Sequence, residues 1–168
     1  MPELPVGCHI TLRYVPRVPQ ELEEAKSQGG MYACARNGPN EVLEVVAREP
    51  GLVEYQKWEI PTLSDEGTLI MLVPGEGNAK ELDAGELGFS HDENIRPGAP
   101  VTLSTGKKYR VEPKHESHGD VVVFIRPLED MENKDRYVGV SRDNRLEIQE
   151  FPPGTSEGLP GWLAHASH

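Results

Sequence analysis

Three short segments share one pattern: Lys57-Trp58-Glu59-Ile60, Lys108-Tyr109-Arg110-Val111 and Gly161-Trp162-Leu163-Ala164. Each sets a large aromatic two residues ahead of a smaller apolar side chain. On an extended chain that spacing puts both on one face. The aromatics lie 51 and 53 residues apart. Other apolar positions keep a similar beat, with first-strand residues at Ile10, Leu69 and Val121 and second-strand residues near Tyr32, Phe89 and Tyr137. A repeat of about fifty residues must be one supersecondary unit that buries its apolar face against its copies.

The repeat is built of strands. Cys8, Ile10, Leu12 and Tyr14 alternate with His9, Thr11 and Arg13, as a half-buried strand does. Similar short runs occur at 31–36, 42–47, 55–60, 68–73, 88–91, 100–103, 108–111, 121–125, 137–140, 146–151 and 162–164, about twelve strands in all. Gly (17) and Pro (15) supply the turns between them. Only 20–26 is rich in helix formers, and it is too short to be a stable helix alone. We read it as a single turn in a long loop. Three four-stranded units are too few for a propeller. They predict an all-β chain, a β-trefoil over 1–168 with pseudo-threefold repeats at roughly 7–64, 65–115 and 116–168. A two-sheet sandwich with accidental aromatic spacing is the alternative.

The charge narrows the partners. With 28 acidic against 17 basic residues the net charge is −11, which repels phosphate backbones and anionic lipid. We therefore expect neither nucleic acid nor membrane as a partner. Met1-Pro2-Glu3-Leu4-Pro5 lacks the basic and apolar regions of a signal peptide, so a cytoplasmic chain is expected. Cys8 and Cys34 could form one bridge, but two reduced thiols is the reading that fits such a compartment.

No group of residues makes a catalytic or metal centre. Ser90-His91-Asp92 has triad residue types, yet strand neighbours point to opposite faces. His115 and His118 flank Glu116 and Ser117 in what reads as a polar loop, without further ligands at a recognised spacing. His165 and His168 sit near the end of the chain, where fraying is the rule. Cys34 lies in an alanine-rich strand that offers no activating partner. Asp130, Glu132 and Asp135 do not follow the calcium-loop template. No enzyme, cofactor or metal is expected.

Binding then falls to the loops. The longest runs from Pro16 to Gly29-Gly30, where paired glycines let backbone approach another surface or simply supply a bend. A second, 48–54, follows a Pro50-Gly51 turn with Leu52 and Val53, which would present a small apolar contact. A third, 74–80, contains Gly77, Asn78, Ala79 and Lys80, suited either to a specificity pocket or to a mobile loop. Gln56-Lys57-Trp58 matches the Gln-x-Trp signature of carbohydrate-binding trefoils. The glutamine is not repeated before Tyr109 or Trp162, so a core aromatic capping the barrel is the simpler reading, with a lectin as the alternative function.

Several patches together resemble a known family. Gly29-Gly30-Met31-Tyr32-Ala33, Val46-Ala47-Arg48-Glu49-Pro50 and Trp58 resemble the first repeat of the mycocypins, mushroom β-trefoil inhibitors of cysteine proteases. Gly88-Phe89-Ser90-His91-Asp92-Glu93 and Pro97-Gly98-Ala99-Pro100-Val101 are similar to the clitocypin-like second repeat. The third repeat is similar in spacing around Asp120-Val121, Ile125-Arg126, Phe151-Pro152 and Trp162. The related cocaprins, which inhibit cysteine and aspartic proteases, are a close second label.

The resemblance implies a monomer that occludes papain-like cysteine proteases with a wedge of two loops. Carried over, the wedge is Gly29, Gly30 and Met31 with Glu49, Pro50, Gly51, Leu52 and Val53. It also implies a second protease surface in the loop holding Gly77, Asn78, Ala79 and Lys80. Asn78 there would suit legumain, and an aspartic protease is the other candidate. Defence against fungus-feeding animals and control of the organism's own proteases fit this reading equally.

Overall fold

The computed structural model describes residues 7–18, 30–61, 66–73, 87–92, 95–117, 120–128, 135–155 and 158–166. The expected turn at 20–26 and the loop residues 74–80 lie outside them.

Among the described residues, twelve strands follow one another in three sets of four. The first unit comprises β1 (His9–Val18), β2 (Met31–Cys34), β3 (Glu44–Ala47) and β4 (Trp58–Glu59). The second comprises β5 (Met71–Leu72), β6 (Leu87–Ser90), β7 (Thr102–Thr105) and β8 (Tyr109–Ser117). The third comprises β9 (Asp120–Pro127), β10 (Asp135–Val140), β11 (Leu146–Phe151) and β12 (Leu159–Ala166).

The outer strands of each unit close into a ring. β1 pairs with β4 and β12, β4 with β5, β8 with β9, and β9 with β12, all antiparallel. The gap between β5 and β8 is closed by reciprocal Thr68 and Tyr109 backbone bonds of 2.8 Å. The inner strands form three hairpins, β2–β3, β6–β7 and β10–β11. Three amides tie these hairpins around an axis. Leu43 N–H donates to Val101 O (2.9 Å), Val101 to Leu146 (3.0 Å) and Leu146 back to Leu43 (2.9 Å). A six-stranded barrel capped by three hairpins is the β-trefoil that the aromatic spacing predicts.

The three aromatics that set that spacing are in the core, fully buried together with Phe89, Val123, Val138 and Ile148. Burying an indole requires a partner for its N–H. Trp58 Nε1–H donates to Ala33 O and Trp162 Nε1–H to Val138 O, each at 3.0 Å. The second unit differs. Its Tyr109 hydroxyl lies 2.6 Å from buried His91 Nδ1, while the nearby Phe89 carbonyl accepts from Lys107 N–H instead.

Several local expectations are corrected. The strand expected over 55–60 shrinks to Trp58–Glu59, because Pro50–Tyr55 forms a 3-10 helix begun by proline. β8 runs on through His115 and Glu116, so these belong to a strand and not to a loop. His165 lies inside β12, opposite Thr11, with Nδ1 2.6 Å from Asp120 Oδ1, so it is not frayed. Both cysteines are free thiols. Burial pushes the Cys34 thiol up, and Cys8 is half-buried.

Candidate functional site

Antiparallel pairing brings two of the loops singled out in the sequence together. In the β2–β3 hairpin Met31 stands opposite Ala47 and Tyr32 opposite Val46. The chain reaching β2 through Gly30 and the chain leaving β3 through Arg48 therefore run side by side.

Gly30 faces the Arg13 side chain closely enough that a Cβ there would collide with the guanidinium group. The Arg13 side chain thus occupies the space that a side chain at position 30 would take. Arg13 stands opposite Tyr32 on the neighbouring strand, and the Arg48 guanidinium lies 5.8 Å from the Tyr32 ring centre. Met31 is the one large apolar side chain classed as exposed among the described residues.

The second loop is ordered by hydrogen bonds rather than by burial. None of its 3-10 residues is buried. Leu52 N–H donates to Glu49 O (2.9 Å), Gln56 N–H to Val53 O (3.1 Å), and Ala35 N–H to Tyr55 O (2.9 Å). Glu49, Pro50, Gly51 and Glu54 are exposed, whereas Leu52 and Val53 are half-buried. The sequence reading had both apolar residues presented outright. The 3-10 coil instead turns part of each inward, because three residues per turn cannot hold two adjacent side chains on one outer face.

Of the expected site residues, Gly30, Met31, Glu49, Pro50, Gly51, Leu52 and Val53 fall in this neighbourhood. Gly29, Gly77, Asn78, Ala79 and Lys80 lie outside the described residues.

In the sequence Gln56 stands out only as half of a sugar-binding signature. Its side chain is 1% exposed, and Nε2 donates to Val46 O (3.3 Å) and Ala47 O (3.2 Å). Both N–H groups of the amide are thereby spent on the chain's own backbone, and Trp58 is wholly buried. Neither half of the Gln-x-Trp signature faces a sugar. The available signal was that Gln occurs once in the three related positions.

The residues considered for chemistry do not assemble into a centre. His91 is buried against Tyr109, Ser90 stands opposite Thr102 within a sheet, and Asp92 is exposed. Among the described residues, no group of three or more His, Cys, Asp or Glu could hold a metal ion, and no helix is long and apolar enough to cross a membrane.

Comparison with known proteins bears on the fold and the family. The chain resembles a designed threefold-symmetric protein, ThreeFoil, with a TM-score of 0.53 at 11% identity, covering 92% of this chain and 98% of the other. At that identity the likeness concerns the fold alone. No curated protein sequence matches. The family model described as peptidase inhibitor clitocypin matches residues 10–163, nearly the whole chain. The chain therefore belongs to the clitocypin family of peptidase inhibitors, and it is an inhibitor and not an enzyme.

Proposed function

We propose that this chain inhibits papain-like cysteine proteases by filling their active-site cleft with two loops of the first unit. One loop contributes Gly29, Gly30 and Met31, and the other Glu49, Pro50, Gly51, Leu52 and Val53. The observation that carries this reading is the pairing of Met31 with Ala47, which sets both loops on adjacent strand ends.

A cleft of this kind must be blocked without offering a well-placed scissile carbonyl. Glycine backbone at Gly30 can lie close to a catalytic pair because no Cβ holds it off. Met31 and the half-buried Leu52 and Val53 supply apolar area on the two sides of that approach. Coverage of about 800 Å² on each partner suffices for a stable complex. The inhibitor acts as a monomer in this scheme, in the cytoplasm of a fungal cell or against animals that feed on it. A second protease, legumain through Asn78 or an aspartic protease, rests on family resemblance alone.

Titration of papain with the protein tests the reading. We expect activity to fall linearly to a stoichiometric end point, and unchanged activity at micromolar inhibitor refutes it. A parallel panel of legumain, pepsin and trypsin tests the second target.

A further inference from the structure

We infer that Gln56 is a positioning residue that staples the 49–55 loop in its binding shape before any protease arrives. This inference rests on the inhibitor reading above.

The 3-10 segment has no fully buried residue and only half-buried Leu52, Val53 and Tyr55, so burial by itself holds its conformation weakly. Its own hydrogen bonds, from Leu52 to Glu49 and from Gln56 to Val53, are local and exposed to competition from water. Besides the backbone bond from Ala35 N–H to Tyr55 O, one side chain ties the end of the loop back to its beginning. Gln56 stands at the C-terminal cap of the 3-10 helix, and its amide returns across nine and ten residues to the carbonyls of Ala47 and Val46. Those carbonyls lie in β3 on the Met31-bearing hairpin. One amide thus ties the departing strand, the end of the loop and the Trp58 strand together.

The geometry calls for the amide nitrogen of Gln56 and not for its Oε1, which is buried without a hydrogen-bond partner among the described residues. The two bonds need two N–H donors at one nitrogen, on a stem long enough to reach from a site that is 1% exposed. A carboxylate would set oxygen against two carbonyl oxygens, and an aliphatic chain would leave both carbonyls with one acceptor bond fewer. A loop held this way loses less freedom on binding, which strengthens inhibition without adding a contact. Gln56 need not touch the protease at all.

The test uses the whole protein with Gln56→Met, which preserves length and volume but removes both donors. Ile148→Val in the third unit serves as a control for general destabilisation. We expect Q56M to exchange the Leu52 amide at least about tenfold faster than wild type. We also expect its papain inhibition constant to rise about tenfold, mainly through slower association, with tryptophan fluorescence unchanged. I148V should leave both the exchange and the inhibition at wild-type values. Equal Leu52 exchange in Q56M and I148V overturns the staple, as does unaltered inhibition by Q56M where the wild type inhibits.

If wild type leaves papain fully active, the protease reading fails and the exchange comparison alone decides the staple. Should Q56M not fold, Gln56→Asn, which withdraws the amide by one methylene, must show the faster exchange.

Discussion

The first and third units use the same hairpin position in opposite ways. Ala33 pairs with Val45 in β2–β3, and Val138 with Ile148 in β10–β11; all four side chains are core. Two residues outward, the first unit has Met31 opposite Ala47, while the third has Arg136 opposite Glu150. Arg136 is buried, with Nε 3.0 Å from Glu150 and Nη1 donating to the Ile95 carbonyl at 3.1 Å. Nearby, Arg126 lies 4.8 Å from the Tyr137 ring centre and 3.4 Å from Asp135. The third unit spends this position holding itself to the second. The first leaves an exposed methionine beside glycine, on a frame fastened from beneath by Gln56. One barrel thus supports a position that serves cohesion and an equivalent one left open for contact.

The comparison can be broken from either side, and the largest effect belongs to the third unit. Arg136→Met should cost about 2–3 kcal/mol in urea denaturation, because a buried charge-assisted bond and a carbonyl partner are both lost. Papain inhibition by the folded variant should stay unchanged.

Transplanting the ion pair comes next. Met31→Arg with Ala47→Glu should weaken papain inhibition at least about 100-fold, or about 2.7 kcal/mol, by setting charges into an apolar contact. Its stability should move by no more than about 1 kcal/mol, since an exposed pair contributes little. Retained inhibition would mean that this position lies outside the contact.

Met31→Ala alone should raise the papain inhibition constant about tenfold and leave the melting temperature within error. Loss of folding stability comparable to that of Arg136→Met would show the two positions to be alike after all.

The smallest effect concerns the thiol beneath the first hairpin. Burial raises Cys34 above its ordinary value of 9.0, so the folded chain holds that proton more tightly than the unfolded one. Stability from this source is full below that pH and declines as pH rises through it. At pH 8 in native buffer, iodoacetamide should label Cys8 well before Cys34. Equal labelling, followed by peptide mass mapping, would refute the burial of Cys34.

The strand pattern was readable because alternation and aromatic spacing report local physics. A strand that buries one face must repeat every two residues, and Trp58, Tyr109 and Trp162 each had to fill the same kind of place in the core. Boundaries were less readable. Residues 48–54 read as a loop and 55–60 as a strand, yet Pro50 starts a 3-10 turn that backbone bonds from Leu52 to Glu49 and from Gln56 to Val53 reveal. His115 and His165 were discounted as loop and terminus because polar residues on the outer face of a barrel strand look like loop in a sequence.

What the sequence by itself determined is the threefold all-β plan, the lack of a catalytic constellation, and through family likeness the inhibitor class. These rest on periodicity, residue type and motif, which survive without coordinates. Tertiary structure alone decided that Met31 adjoins Ala47, that the Arg13 side chain fills the space a Cβ at Gly30 would take, and that Gln56 serves a loop and not a sugar. Each depends on residues nine to seventeen positions apart meeting through strand register, and register is settled by the packing of the whole barrel.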